Sequence, residues 1–508
     1  MRVCDADAAY ALIIFSGDIM HIKPIPALLL GLMASGTVQA ASPIGGFQFE
    51  WTTTHIVGVT AEIPAFDALT NTLWVAGVVG VDVLDAGTGS LVQHIDTSGF
   101  GNINSVSVYN GMAAMAFESS TDRTLPGQVV LFDTASRTLA GGTNQITVGA
   151  LPDMLTFTPD GSKLLVANEA TPTTYGGIDP AGSVSIIDMG SRSVAATAGF
   201  AGVPVTGSGV RYPGMDFEPE YITVNAAGTH AFVTLQEANA MGVLDLGTLQ
   251  FTSVVGLGTK DFSLPGNEID PNHKDGTIEL RAADVKGFYQ PDAVAAYEAG
   301  GQTYLMMANE GDTREDDGDK ERVKDAGLSG YPADLSQLNV STLDSASGTD
   351  LYTFGGRSFS IRDAAGNLVF DSGSQLDAEA IARGIYADGR SDDKGVEPEG
   401  VELLEIDGRI LAFIGLERTT KGAVAVYDIT DPASASFVDM IVTDGDVAPE
   451  GMKAFFMDGK YYLAIANEVS NTTTLYSMAP VPEPETYAML LAGLGLVGFM
   501  ARRKAMRA

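Results

Sequence analysis

PEGMKAFFMDGKYYLAIANE, residues 449–468, is two apolar stretches joined at Asp458-Gly459, opened by Pro449-Glu450 and closed by Glu468. Alternating apolar side chains on both sides of a tight Asp-Gly turn specify a β-hairpin. The same pattern recurs upstream. PEGVELLEIDGRILAFIGLE spans 398–417, PDAVAAYEAGGQTYLMMANE 291–310, PEYITVNAAGTHAFVTLQE 219–237 and PDMLTFTPDGSKLLVANE 152–169. A weaker copy, NSVSVYNGMAAMAFE, ends at Glu118, and a weaker one still, Ala65 to Asp85, lacks the closing acid. Most copies are followed by a further apolar strand ending in aspartate, as in SVSIIDM, GVLDLG and AVAVYDITD. Seven units of this kind predict an all-β, seven-bladed β-propeller with four strands to a blade. A β-sandwich is the alternative, but it does not need one hairpin written seven times. The strand near Phe49 to Ile56 is expected to complete the last blade and close the ring.

Strand direction then selects a face. In an antiparallel blade the first strand starts, and the second ends, on the same side. The Pro-Asp/Glu that opens each hairpin and the Glu that closes it are therefore expected to be neighbours. The turns on the other side are minimal: PDGS, NAAG, IDG, MDG and YNG. The long connections, Ala170 to Gly182, Gly199 to Phe217, Gly256 to Gln290, Gly311 to about Asp350 and Ser372 to Glu397, all fall on the acidic side. Long loops on a compact scaffold commonly carry function. Asp153, Glu220, Asp292, Glu399 and Glu450 are expected to form an inner ring, with Glu118, Glu169, Glu237, Glu310, Glu417 and Glu468 beside it.

So many carboxylates in one mouth repel one another unless something compensates. Hard cations such as Ca²⁺ fit, because they take six to eight oxygen ligands. The metal-ligand candidates are Glu310, Asp312, Glu399 and Glu450, followed by Asp292, Glu169, Glu237, Glu417 and Glu468. Arg314, Arg418 and Asn309 are candidates for ligand contact, and Arg322, Arg357 and Lys394 could also meet an anion. The competing reading has each acid satisfied by backbone amides of its own loop or by a nearby arginine.

Composition agrees with a folded, exported chain. The 508 residues are 45% hydrophobic and 18% charged, with 59 glycines, which favours short strands and tight turns over disorder. A formal charge of −35 repels nucleic acid and anionic lipid and attracts cations. The single cysteine, Cys4, excludes an intramolecular disulfide framework.

The two ends read as addresses. Residues 1–40 contain a secretory signal: Lys23, the apolar run Ala27 to Val38, and Val38-Gln39-Ala40 before the expected signal-peptidase cut, with Met20 as the true start. The propeller is expected over 41–478 and a tail over 479–508. That tail carries Val481-Pro482-Glu483-Pro484, an apolar stretch from Tyr487 to Met500 and Arg502-Arg503-Lys504. It resembles the PEP-CTERM sorting signal. The resemblance implies a short hydrophobic helix that anchors the chain transiently in the membrane. It also implies recognition and removal by an exosortase, in a Gram-negative host that makes exopolysaccharide.

Further motifs carry a second resemblance. They are Gln290-Pro291-Asp292, Ala308-Asn309-Glu310-Gly311-Asp312-Thr313-Arg314-Glu315, Glu321-Arg322-Val323, Phe354 to Ile361, Val369 to Gly373 and Glu397-Pro398-Glu399-Gly400-Val401. Together they resemble the choice-of-anchor I family, similar to the mesenchyme-specific cell-surface glycoproteins, over roughly residues 50 to 478. The family implies a surface propeller without a settled activity. The expected function is a cell-surface or matrix module binding exopolysaccharide or a surface protein. The alternative is a calcium-dependent phosphoesterase, on a distant likeness to phytase-like propellers. No GxSxG elbow or GxxxxGK[ST] loop occurs. Of the five histidines, His273, expected on the acidic face, is the one candidate, with an ordinary loop role as the competing reading. Catalytic residues are not assigned.

Overall fold

The computed structural model describes residues 44–480, apart from 57–59, 175, 212–216 and 314–317. The expected signal peptide, the sorting tail beyond Pro480 and Arg314 therefore lie outside the described residues. Among the described residues, no helix is long and apolar enough to cross a membrane.

The chain is all-β and propeller-like. Sheet 1 is built from Ile63–Asp67, Thr72–Gly77, Gly80–Asp85 and Leu91–Asp96 in that order. Sheet 2 follows with Ile103–Tyr109, Met112–Phe117, Pro126–Asp133 and Gln145–Ala150, and sheet 3 with Pro152–Phe157, Lys163–Asn168, Ser183–Asp188 and Ser193–Gly199. Sheet 4 has Pro219–Val224, His230–Leu235, Ala240–Asp245 and Gln250–Leu257, and sheet 5 has Val294–Ala299, Gln302–Asn309, Ser358–Asp363 and Leu368–Asp371. Sheet 6 has Pro398–Ile406, Arg409–Leu416, Gly422–Asp428 and Ser436–Thr443. Sheet 7 takes Pro449–Met457, Lys460–Asn467 and Thr472–Pro480 from the C-terminal end and Ile44–Thr54 from the N-terminal end. The first strand of each sheet touches the first strand of the next, and that of sheet 7 touches that of sheet 1. The ring closes on itself, leaving no open edge between first and last sheets.

The closing strand spans Ile44–Thr54 rather than Phe49 to Ile56, with Ile44 opposite Pro480 and Thr54 opposite Thr472. Two sheets depart from the expected four strands. Thr138–Leu139 adds to sheet 2, and Val205–Ser208 runs parallel to the outer strand of sheet 4. The buried histidine His55, just after the closing strand, bolts the seam. Its Nδ1 lies 2.9 Å from Asp82 of sheet 1 and its Nε2 2.7 Å from the Thr473 hydroxyl of sheet 7.

Burial follows position in the sheet. The second strand is enclosed on both faces, as in Thr72–Gly77, whereas the outermost strand alternates, as in Ser193–Gly199. The aspartates that end the third strands cap the next turn. Asp133, Asp188 and Asp245 each accept hydrogen bonds from the amide and hydroxyl of Ser136, Ser191 and Thr248.

Among the described residues, the long insertions carry secondary structure of their own. Thr259–Asp261, Lys286–Phe288 and Tyr352–Thr353 form one small sheet, Lys320–Arg322 and Asn339–Ser341 another, and Gln375–Ala382 is a helix. Phe262, Ile269, Val285, Leu338, Val340 and Leu351 give the insertions their own apolar cluster. Buried Lys260 fastens it, donating to the carbonyls of Gly356 and Gly373 at 2.9 Å each and pairing with Asp371 at 2.9 Å.

Candidate functional site: an acid-lined mouth

A repeated backbone clamp builds the mouth. Leu151, Gln290, Glu397 and Ala448 each precede the proline that leads into an inner strand and take left-handed φ values of 42°, 43°, 51° and 58°. That region is costly for residues with a side chain. Each carbonyl accepts an amide from the far end of its own hairpin: Glu169 to Leu151 at 2.9 Å, Gly311 to Gln290 at 3.0 Å, Glu417 to Glu397 at 3.0 Å and Glu468 to Ala448 at 2.8 Å. In three of these clamps the closing Glu itself donates, and in sheet 5 the donor is Gly311, next to Glu310, so each closing Glu comes near the opening acid as strand direction requires. The glycine of Pro-Glu-Gly then lets neighbouring inner strands meet. A Cβ on Gly400 would lie 2.0 Å from the Glu450 carbonyl, and one on Gly451 would lie 2.5 Å from the Glu62 carbonyl.

Glu62, Asp153, Asp292, Glu399 and Glu450 line one central cavity of about 180 Å³ together with Tyr221, Met154 and Met452. Burial, reinforced by neighbouring acids, pushes the carboxyls of Asp153, Glu220, Asp292, Glu399 and Glu450 well above their ordinary range. Glu399 feels Glu450 and Glu310 most after burial, and Asp292 feels Glu310 and Asp153. Glu169 and Glu237 are raised by burial too, and Glu417 reaches about 7 from burial and Glu310 despite Arg418. Asp312 is raised to about 6, by burial first, against the pull of Lys394.

The residues divide into two groups by what neutralises them. Glu310, Glu397 and Glu417 can bring three oxygens within 4.8 Å of one another. That group already holds cations. Lys394 Nζ lies 2.6 Å from Glu310 and 3.2 Å from Glu397, Arg390 2.6 Å from Glu397, and Arg418 2.7 Å from Glu417. Burial would lower the Lys394 ammonium's pKa, but Glu310, Glu397 and Asp312 hold it well above its ordinary value. Asp292, Glu310 and Glu399 form the second group, also within 4.8 Å. Here Lys394 and Gln236 reach Glu310, at 2.6 Å and 3.0 Å, while Glu399 Oε2 is buried without a hydrogen-bond partner.

Several sequence candidates sit differently from their expected roles. Asn309 is fully buried; its amide donates to Ser358 at 3.3 Å and its carbonyl accepts from Ser360 at 3.1 Å, so it ties second strand to third. Asn168 does the same with Ser183 and Ser185. Arg357 is buried on the carbonyls of Asp270, Ser391 and Asp393 at 3.2, 2.7 and 2.8 Å. Arg322 pairs with Asp392, which His273 also meets at 2.7 Å. In sheet 4 Pro219 faces Leu235, so Gln236 takes the clamp position and Glu237 is one residue further on. Glu468 is near enough to raise Glu62 and Glu450. Glu118 accepts from Asn102 and lies 3.8 Å from Arg123. The sequence reading missed Glu62, Glu397, Arg390 and Tyr221. Glu62 and Glu397 adjoin the opening position of a hairpin, so alignment of the strand starts would have found them.

This geometry defines an all-β, propeller-like module with a ring of buried carboxylates at one mouth. The chain belongs to the choice-of-anchor I domain family, whose model matches residues 62–432. The PEP-CTERM protein-sorting motif matches residues 480–504, and the two matches together mark an exported surface protein. A curated relative, a mesenchyme-specific cell surface glycoprotein of Strongylocentrotus purpuratus, is 25% identical over 340 residues. That match takes in 55% of this chain and 42% of the relative, so the chain spans less than half of the relative's length. Among solved structures, Kuenenia stuttgartiensis hydrazine synthase matches at 12% identity and a TM-score of 0.48, covering 83% of this chain and 97% of that one. A β-propeller domain from Myceliophteria thermophila matches at 10% identity and a TM-score of 0.43, covering 85% and 99%.

Proposed function

We propose that this protein is an extracellular binding module: a closed seven-bladed propeller whose acidic mouth, supported by calcium, engages exopolysaccharide or a surface protein. One observation carries the reading. Asp292, Glu310 and Glu399 offer three oxygens within 4.8 Å in a mouth where burial and mutual repulsion raise Asp153, Glu220, Asp292, Glu399 and Glu450. A hard, oxygen-seeking cation relieves that repulsion, and calcium suits a site of several carboxylates without sulfur or imidazole. Asp292, Glu310 and Glu399 would supply ligands with Glu450 beside them, Glu310 shared with Lys394, while Glu417 is largely met by Arg418. The chain would be delivered by signal peptidase at its start and by exosortase at its tail, with transient anchoring between.

A calcium-dependent phosphoesterase is the second reading, since metal-activated water needs no side-chain nucleophile. The cations beside the mouth weigh against it. Lys394, Arg390 and Arg418 spend their charge on Glu310, Glu397 and Glu417 rather than facing an anion freely. Turnover of a generic phosphate ester, measured with calcium and with chelator, decides between the two. The binding module predicts no turnover in either condition. Robust calcium-dependent turnover, lost when Glu310 and Asp312 are changed together, would overturn it.

A further inference from the structure

The two ends of the described chain meet at one corner. Thr472–Pro480 starts beside Asn467, on the acidic side, and runs away from it, so that Met478 is the partner of Tyr461 next to the Asp458-Gly459 turn. Ile44 enters opposite Pro480 at the same level. The chain therefore leaves its last strand on the face opposite the acid-lined mouth.

We propose that, while the tail is attached, this opposite face lies against the bilayer and the acidic mouth points away from it. The proposal rests on the reading of the tail as a transient anchor. Six residues, 481–486, separate Pro480 from the apolar stretch that begins at Tyr487. Fully extended, they reach about 20 Å. Strand Lys460–Asn467 has eight residues, so the two faces of sheet 7 stand about 26 Å apart at ~3.3 Å per residue. The tether cannot run up the side of the sheet and still bring the mouth down to the membrane. Charge acts in the same direction, because the mouth gathers carboxylates that an anionic lipid surface repels. The geometry presents the long insertions and the mouth to soluble or matrix partners before the tail is cut. The surface toward the lipid is made of short turns such as Tyr109-Asn110-Gly111 and Asp407-Gly408.

The test uses the full chain with Cys4→Ser and one new cysteine at either end of the same strand: Lys460→Cys on the turn face or Val469→Cys on the mouth face. Both positions are exposed. Each variant carries a donor dye and is reconstituted into phosphatidylcholine vesicles containing an acceptor lipid. Energy transfer is expected to be about twofold or more higher from position 460, given the ~26 Å difference in height. A chain ending at Pro480 should show no transfer from either position. Equal or reversed transfer in chains that float with the vesicles overturns the orientation and leaves the anchor standing. Failure of the tailed chain to float with vesicles overturns the anchor, and the orientation with it.

Discussion

Changing Glu62 to Gln should stabilise the cation-free protein at high pH and leave it unchanged at low pH. Glu62 immediately precedes the first strand of sheet 1 and lines the central cavity with Glu450 and Asp153. Its carbonyl is held by the Gly451 amide at 2.9 Å, and its side chain accepts from Thr60 at 2.6 Å. Burial, with Glu468 nearby, raises its carboxyl from 4.5 to about 7 although the Thr60 hydrogen bond works the other way. The unfolded chain ionises near the ordinary value, so the folded state binds the proton more tightly. Stability attached to this group is full below about 4.5, falls as pH rises, and is lost above about 7. A difference of that size corresponds to about 3 kcal/mol, at ~1.4 kcal/mol for each pH unit separating the two states. Glutamine keeps the shape and the Thr60 hydrogen bond and has no proton to lose. Urea unfolding with chelator at pH 4 and pH 8.5 should give near-equal stabilities at the lower pH. At the higher pH the Glu62→Gln variant should be more stable by about 2–3 kcal/mol. A difference of the same size at both pH values would refute the reasoning, because it would trace to packing rather than charge. So would no difference at either.

Three further outcomes are expected. Calcium should raise the thermal midpoint at matched ionic strength, by the equivalent of about 2.7 kcal/mol at a hundredfold excess over Kd. The rise should be smaller with Glu310→Gln and Glu399→Gln together, and sodium chloride reproducing all of it would remove the specific site. His55→Ala should cost about 1–3 kcal/mol, because it removes a buried hydrogen-bond partner from Asp82, which keeps His94, and from Thr473 across the seam; equilibrium unfolding measures this, and a loss under about 0.5 kcal/mol, typical of exposed sites, would deny the bolt. Mass spectrometry of native protein should find a start near Ala41 and an end near Pro482, and retention of both ends would contradict the export reading.

The hairpin pattern carried the sheets, because a period of two punctuated by Asp-Gly turns leaves few other ways to bury both faces of a short strand. It also carried the choice of face, since strand direction alone brings Pro449-Glu450 and Glu468 to one side. The bounds of the closing strand were less legible. Phe49 is exposed and Trp51 buried, but the pattern does not reveal that pairing with Thr472–Pro480 continues back to Ile44.

The partners of each acid were decided by tertiary structure. Glu397 and Glu399 are two residues apart, yet Glu397 meets Arg390 and Lys394 while Glu399 is pushed by Glu450 of the neighbouring sheet. Gln236, not Glu237, takes the clamp position, because Pro219 pairs with Leu235 at the same separation as Pro152 with Asn168, which leaves Glu237 one residue beyond it. Asn309 looked like a mouth residue beside Glu310, but the alternation of a strand turns it inward to Ser358 and Ser360. By itself the sequence determined the repeating hairpin, the acidic side and the C-terminal sorting motif, all properties of local pattern. Which carboxylates are neutralised by lysine or arginine and which face one another depends on insertions folding back over the ring, and contacts between residues far apart in the chain are not written in any local pattern.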